Sequence, residues 1–185
     1  LGEGLRHIVG MLENGVIDYD DAVVILDSDG QHLPRDIDLL IDAYLSRPVD
    51  HVIACRDLSI YPLWKRLGNR IMSLLATILT QRKFSDVECG MRLLRAGAIP
   101  EILRFYVGVC YSNGQEMAII SSLLGHRIFN GPAIRVMFYR RRGTTGWDGA
   151  VAACYGILAA LRVRLYLARS MRTAATLATP KTGDD

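Results

Sequence analysis

The run Ala22-Val23-Val24-Ile25-Leu26 is wholly apolar and ends abruptly in Asp27-Ser28-Asp29-Gly30-Gln31-His32. An apolar run of this length, bounded by turn-forming residues, reads as a buried strand of an α/β sheet, and open α/β sheets bind ligands beyond the carboxyl ends of their strands. In extended chain the side chains at 27, 29 and 31 point to one side, so two carboxylates and an amide oxygen can converge on one hard cation. Gly30 lets the backbone turn there. The same composition also fits a solvated turn after a strand.

The segments around this run alternate in period. Leu5, Ile8, Val9 and Leu12 recur at helical spacing and Gly15 can end that helix. Pro34 occupies a first helical position, and Ile37, Leu40, Ile41, Tyr44 and Leu45 form one apolar face up to Arg47-Pro48. Val52 to Cys55 reads as the next strand and delivers Arg56 and Asp57 to the same edge. Leu67, Ile71, Leu74, Leu75, Ile78 and Leu79 predict a long amphipathic helix from Leu63 to Thr80, followed by a polar loop from Gln81 to Asp86. Ser112 to Leu124 reads as a capped helix, Arg127 to Phe129 and Ala133 to Tyr139 as strands, and Gly143 to Gly146 as a flexible loop. This alternation predicts an α/β domain over 1–146, a C-terminal helix over 147–172 and a mobile tail over 173–185. A central parallel strand needs neighbours on both sides, so further strands are expected upstream of Leu1.

Composition narrows the function classes. The formal charge is only +3, but basic residues gather at Arg140-Arg141-Arg142 and again at Arg162, Arg164, Arg169 and Arg172. Such clusters suit phosphate groups and anionic headgroups, and with no helix-turn-helix, zinc-finger or RNA-binding aromatic signature, nucleic acid is disfavoured. Cys55, Cys89, Cys110 and Cys154 are widely spaced without a CxxC pair, which predicts reduced thiols and a cytoplasmic location. His7, His32, His51 and His126 form no metal-ligand spacing, and only His32 adjoins the Asp-rich loop. No stretch reaches the ~20 uninterrupted apolar residues of a membrane span. The apolar run Val151 to Leu161, with arginines after it, reads either as a helix lying on a membrane surface or as a closing core helix.

Four segments together carry a family likeness: Val24 to Pro34, Ala54-Cys55-Arg56, Ser85 to Leu94, and Arg140 to Thr145. In order and spacing they resemble the polyprenyl-phosphate glycosyltransferases of glycosyltransferase family 2, the dolichyl-phosphate mannosyltransferase-like enzymes. The resemblance implies a GT-A (Rossmann-like) fold, here without its first strands, that passes a sugar from a nucleotide-sugar donor to a polyprenyl (dolichyl or undecaprenyl) phosphate with inversion. It implies that Asp27, Asp29 and Gln31 hold Mg²⁺ or Mn²⁺ against the diphosphate, with Asp29 at the catalytic centre. A leaving nucleoside diphosphate gains negative charge as the glycosidic bond breaks, so a cation and fixed basic groups favour the transition state.

By the same likeness, Arg140, Gly143 and Thr145 fall on an Arg-x-x-Gly-x-Ser string, with Thr in place of Ser and Gly146 where a Lys commonly follows. That places Arg140 and Thr145 at the diphosphate or the acceptor phosphate; a solvated basic turn is the alternative. Arg56 is either a phosphate contact or a strand-end surface arginine. Asp86 and Arg92 lie on an Asp-x-x-x-Gly-x-Arg string, which puts Asp86 at the sugar end of the cleft, unless the two simply pair to fix a loop. Transferases with hydroxyl acceptors carry an acidic pair at the position that reads Gln115-Glu116 here. An anionic acceptor needs no base, and Glu116 then orients sugar or acceptor, or faces its own helix dipole. The Gln-x-x-Arg-Trp string of processive synthases is absent. The expected place of work is peripheral to the cytoplasmic face of a membrane, with a separate membrane subunit as a further partner. The alternatives are transfer to a hydroxyl acceptor and a non-catalytic nucleotide-sugar or lipid-phosphate binding module.

Overall fold

A computed structural model describes residues 1–109, 111–136 and 145–178, with 174–178 by backbone alone. In chain order the elements are α1 (Gly2–Glu13), β1 (Ala22–Ile25), α2 (Asp36–Leu45), β2 (His51–Arg56), α3 (Leu63–Thr80), β3 (Arg92–Arg95), α4 (Ile99–Leu103), α5 (Asn113–Leu123), β4 (Ile128–Ile134) and α6 (Gly146–Ala178). The chain is a mixed α/β protein whose four-stranded sheet has the order β1-β3-β2-β4. Strand β3 runs antiparallel to both β1 and β2, and β2 pairs parallel with β4. Strands β1, β2 and β4 therefore run the same way, and their carboxyl ends share one edge with the loop that enters β3.

Strand β3 was not expected from the sequence. Its apolar content is only Leu93-Leu94 between two arginines, and what makes it a strand is pairing on both sides: Leu93 lies opposite Val24 and Val52, and Arg92 opposite Ile25 and Ile53. Successive strand residues face opposite sides of a sheet. Leu93 accordingly enters the core of Leu40, Val52, Met91 and Ile119, while Leu94 enters that of Leu5, Ile99, Ile102 and Val163. The two strands expected at 127–129 and 133–139 are one strand in the structure, with a register shift across Gly131-Pro132; residues 137–139 lie outside the described residues.

Helix α3 forms where its periodicity predicts, but most of its apolar stripe faces outward, only Leu75 and Leu79 being half-buried. Its buried residues are Asn69, Met72, Ser73 and Ala76, whereas Leu67, Ile71, Leu74 and Ile78 are 56–58% exposed. The inward face is mixed: Met72 and Ala76 join the core, and the polar residues beside them hold a loop. The Ser73 hydroxyl accepts from the Val87 amide at 3.1 Å, the Thr77 hydroxyl accepts from the Phe84 amide at 3.1 Å, and the Asn69 side chain accepts from Arg56 at 3.1 Å. Helix α6 is continuous from Gly146 and buries Ala152, Ala159, Ala160 and Val163. A β-carbon at Gly156 would stand 3.0 Å from the Gln115 side chain, so the absent side chain permits close approach to α5. Although no uninterrupted apolar run spans it, Gly146–Thr173 is long and apolar enough to cross a membrane by length and composition. The arginines that break the run are too few to bring its average below that of a span.

At the edge opposite the carboxyl ends, the buried Asp50 carboxylate joins three strands. It accepts from the Arg127 amide at 2.9 Å, from Arg127 Nε at 3.0 Å and from Arg95 Nε at 2.8 Å. Partial burial opposes ionisation of Asp50, but the bonds from Arg127 and Arg95 prevail and hold its carboxyl well below the usual range. A depressed folded-state pKa gives stability that is present above the unfolded value of ~3.9 and is lost as pH falls below it. Asp50→Asn is expected to cost about 2–4 kcal/mol at pH 7 in urea unfolding. The gap to the parent should narrow as pH drops below ~4; a gap independent of pH would contradict this role.

Candidate functional site

The apolar run of β1 carries Asp27, Asp29 and Gln31 onto one loop at the carboxyl edge of the sheet. The Asp27 side chain is 62% exposed, and the buried His32 ring lies 3.6 Å from its Oδ2. That neighbouring imidazole, aided by the more distant charges of Arg56 and Arg92, holds the Asp27 carboxyl below its ordinary value against the effect of partial burial. Asp29 is exposed and its Oδ1 accepts the Gln31 amide at 3.0 Å, which shapes the turn. Gly90, in the loop entering β3, packs directly on Asp27. A β-carbon there would lie 2.0 Å from Asp27 Oδ2, so only glycine allows the approach.

Among the described residues no cluster of three His, Cys, Asp or Glu side chains could hold a metal. What the Asp27–Gln31 loop offers is two carboxylates and a side-chain amide close in sequence. All its donors are oxygen and its carboxylates face solvent, a chemistry that fits Mg²⁺ or Mn²⁺ and not a softer metal.

Arg56 and Asp86 meet in a fork. Arg56 donates from Nε to Asp86 Oδ2 at 2.8 Å and from Nη2 to Oδ1 at 2.8 Å, and its backbone amide adds a third bond at 3.0 Å. Asp86 is therefore 2% exposed with both oxygens engaged, and Arg56 is committed to it and to Asn69. Burial disfavours the Arg56 charge, but the Asp86 bonds outweigh it and raise its pKa. The alternative in which Asp86 pairs with Arg92 is not what forms. The buried Arg92 guanidinium donates instead to the carbonyls of Cys89 at 2.9 Å, Gly114 at 2.7 Å and Val87. It clasps the loop before β3 to the start of α5. Burial, joined by the nearby Arg56 charge, pushes its pKa down.

Glu116 is fully buried and accepts from the Val107 amide at 2.9 Å, the Gly108 amide at 3.4 Å and the Ser112 hydroxyl at 2.5 Å. Its carboxylate closes the loop ahead of α5. Thr145 caps α6: its amide and hydroxyl both donate to Asp148 at 2.7 Å. Arg140 and Gly143, expected at a phosphate, lie outside the described residues, as does Cys110; Cys55, Cys89 and Cys154 are free thiols.

Two residues join the site that the sequence did not single out. Tyr61 lies within electrostatic reach of Arg56, Asp86 and Asp29, and burial pushes its phenol up. Glu88 lies in the same loop as Asp86 and Gly90. Its Oε1 is buried without a hydrogen-bond partner, and burial pushes its carboxyl up to about 7 against the attraction of Arg92 and Arg56. The signal available was only a carboxylate at an unconstrained position of the Asp-x-x-x-Gly-x-Arg string.

Because the group that would meet the new methyl is a side-chain carboxylate, Gly90→Ala is expected to displace Asp27 and leave the fold intact. Titration with Mn²⁺ should show affinity reduced about ten-fold or more, with a melting temperature within ~3 °C of the parent. Undiminished Mn²⁺ affinity would separate Gly90 and Asp27 from any cation site.

No family model matches the chain. It is 25% identical over 152 residues to the uncharacterized protein MJ1222 of Methanocaldococcus jannaschii, covering 78% of this chain and 63% of that protein. It is 30% identical over 80 residues to the uncharacterized protein MJ0544 of the same organism, covering 40% of this chain and 35% of that protein. The chain thus spans less than two thirds of the length of these curated relatives.

Proposed function

We propose that this chain belongs to a GT-A glycosyltransferase that moves a sugar, with inversion, from a nucleotide-sugar donor to a polyprenyl phosphate at the cytoplasmic face of a membrane. The observation that carries this reading is the exposed Asp27–Asp29–Gln31 loop at the carboxyl edge of the sheet, with Gly90 pressed against Asp27. A divalent cation at that loop would neutralise the charge of the departing nucleoside diphosphate. The three side chains orient the diphosphate end of the donor, and the Arg56–Asp86 fork and the Arg92 clasp keep the facing loop rigid. Rigid support of this kind lets fixed charge act on the transition state without reorganisation. Asp86 and Glu116 are spent on structural bonds, which suits an acceptor that arrives already ionised. The free thiols Cys55, Cys89 and Cys154 suit a reducing compartment.

A second reading, transfer to a hydroxyl, is favoured by Glu88, whose carboxyl near 7 has the pKa of a general base.

Asp29→Ala is expected to lower transfer to polyprenyl phosphate by about 10²-fold or more with an unchanged melting temperature; undiminished transfer would remove the metal assignment. Glu88→Gln distinguishes the acceptors. Turnover within a few-fold of the parent is expected for the phosphate acceptor, and a loss of about 10²-fold or more with a hydroxyl acceptor would establish the second reading.

A further inference from the structure

We infer that the outward face of α3 is a membrane-docking surface that seats the protein on an anionic lipid leaflet. Leu63, Trp64, Leu67, Ile71, Leu74 and Ile78 are each more than half exposed and follow one another at helical spacing. At 1.5 Å per residue they form a stripe about 22 Å long. Single exposed apolar residues are ordinary, but a contiguous stripe of this size marks an interaction surface.

The charges beside the stripe identify what covers it. Helix α3 carries Lys65, Arg66 and Arg70 and no acidic residue. Arg70, Leu74, Lys83 and Phe84 line a shallow groove along the same helix, so two cations stand beside the apolar stripe. A second copy of the chain seated across a twofold axis would set these cations against their own counterparts, with no acid on α3 to meet them. An anionic leaflet meets both features, the apolar residues entering the acyl boundary and the cations the headgroups.

The tryptophans agree. The chain has only two, Trp64 and Trp147, and they are 60% and 77% exposed; each lies in the first turn of a long helix. Exposed tryptophan at the ends of apolar helices is characteristic of the membrane interface. Helix α6 packs against α3, exposes Leu158, Leu161 and Leu165, and after Asp148 carries only basic charged residues. One helix thereby has two tasks, its outer face meeting lipid while Asn69, Ser73 and Thr77 on its inner face hold Arg56 and the loop that ends at Gly90.

This inference rests only on the membrane location in the proposed function, and its test needs no sugar transfer, so the two can fail separately. Trp147→Phe leaves Trp64 as the sole tryptophan, read by excitation at the red edge where tyrosine does not absorb. Added vesicles of phosphatidylcholine with phosphatidylglycerol should shift Trp64 emission to the blue, and the response should weaken in vesicles of phosphatidylcholine alone. In the same background, Ile71→Glu with Leu74→Glu, both at exposed positions, should reduce vesicle partitioning about ten-fold or more while the melting temperature holds. No binding, binding without a Trp64 shift, or binding untouched by the double substitution would overturn the inference. Self-association that the double substitution abolishes would overturn it in favour of a second copy.

Discussion

The guanidinium of Arg92 organises the carboxyl edge of the sheet. Placed opposite both Ile25 and Ile53 and removed from water, it must have its donors met inside the protein. It meets them with the carbonyls of Val87, Cys89 and Gly114, and this obligation fixes the loop before β3 to the head of α5. Two further attachments hold the same loop: the Arg56–Asp86 fork from β2 and the Ser73 and Thr77 hydroxyls from α3. Gly90 comes out of this arrangement in contact with Asp27. The site edge is therefore as well determined as the core, although most of its contacts are polar.

Local features were legible in the sequence and non-local ones were not. The helical spacings of α1, α2 and α3 and the strand delivering Arg56 depend on residues a few positions apart, and all formed. The apolar run of β1 formed a strand too, but a half-buried one at the sheet edge and not the buried strand expected, and α5 formed without the expected side-chain cap. Strand β3 depends on partners about 40 to 70 positions upstream, and Leu93-Leu94 alone has too little period to reveal it. The pairing weighed as the alternative for Asp86 named Arg92, which is near in sequence, whereas Arg56 is near in space. Helix α3 shows a subtler limit. Its period correctly gives a helix with an apolar stripe, but not the direction in which the stripe faces, because the small polar residues between the leucines carry loop contacts that outweigh apolar burial. Glu116 stands at a helix start as expected, and its carboxylate serves the backbone there; Thr145, expected in a phosphate-binding loop, caps α6, where its hydroxyl accepts from the Asp148 amide.

These contacts divide labour along one direction through the protein. The Asp50 junction closes the far edge, the near edge holds the carboxylates, and α3 stands between the near edge and its own exposed apolar stripe. On the reading proposed above, a lipid-borne phosphate at the α3 surface would find the Asp27 loop close by, and the site would need no separate carboxylate base.

Crystals of the protein grown with Mn²⁺ and either uridine or guanosine diphosphate offer the most direct measurement, an anomalous difference map at the manganese edge. The account predicts one strong peak within bonding distance of the Asp27 and Asp29 carboxylates, with the Gln31 amide and a diphosphate oxygen beside it. A peak held by other residues, with Asp27 and Asp29 facing bulk water, would contradict it.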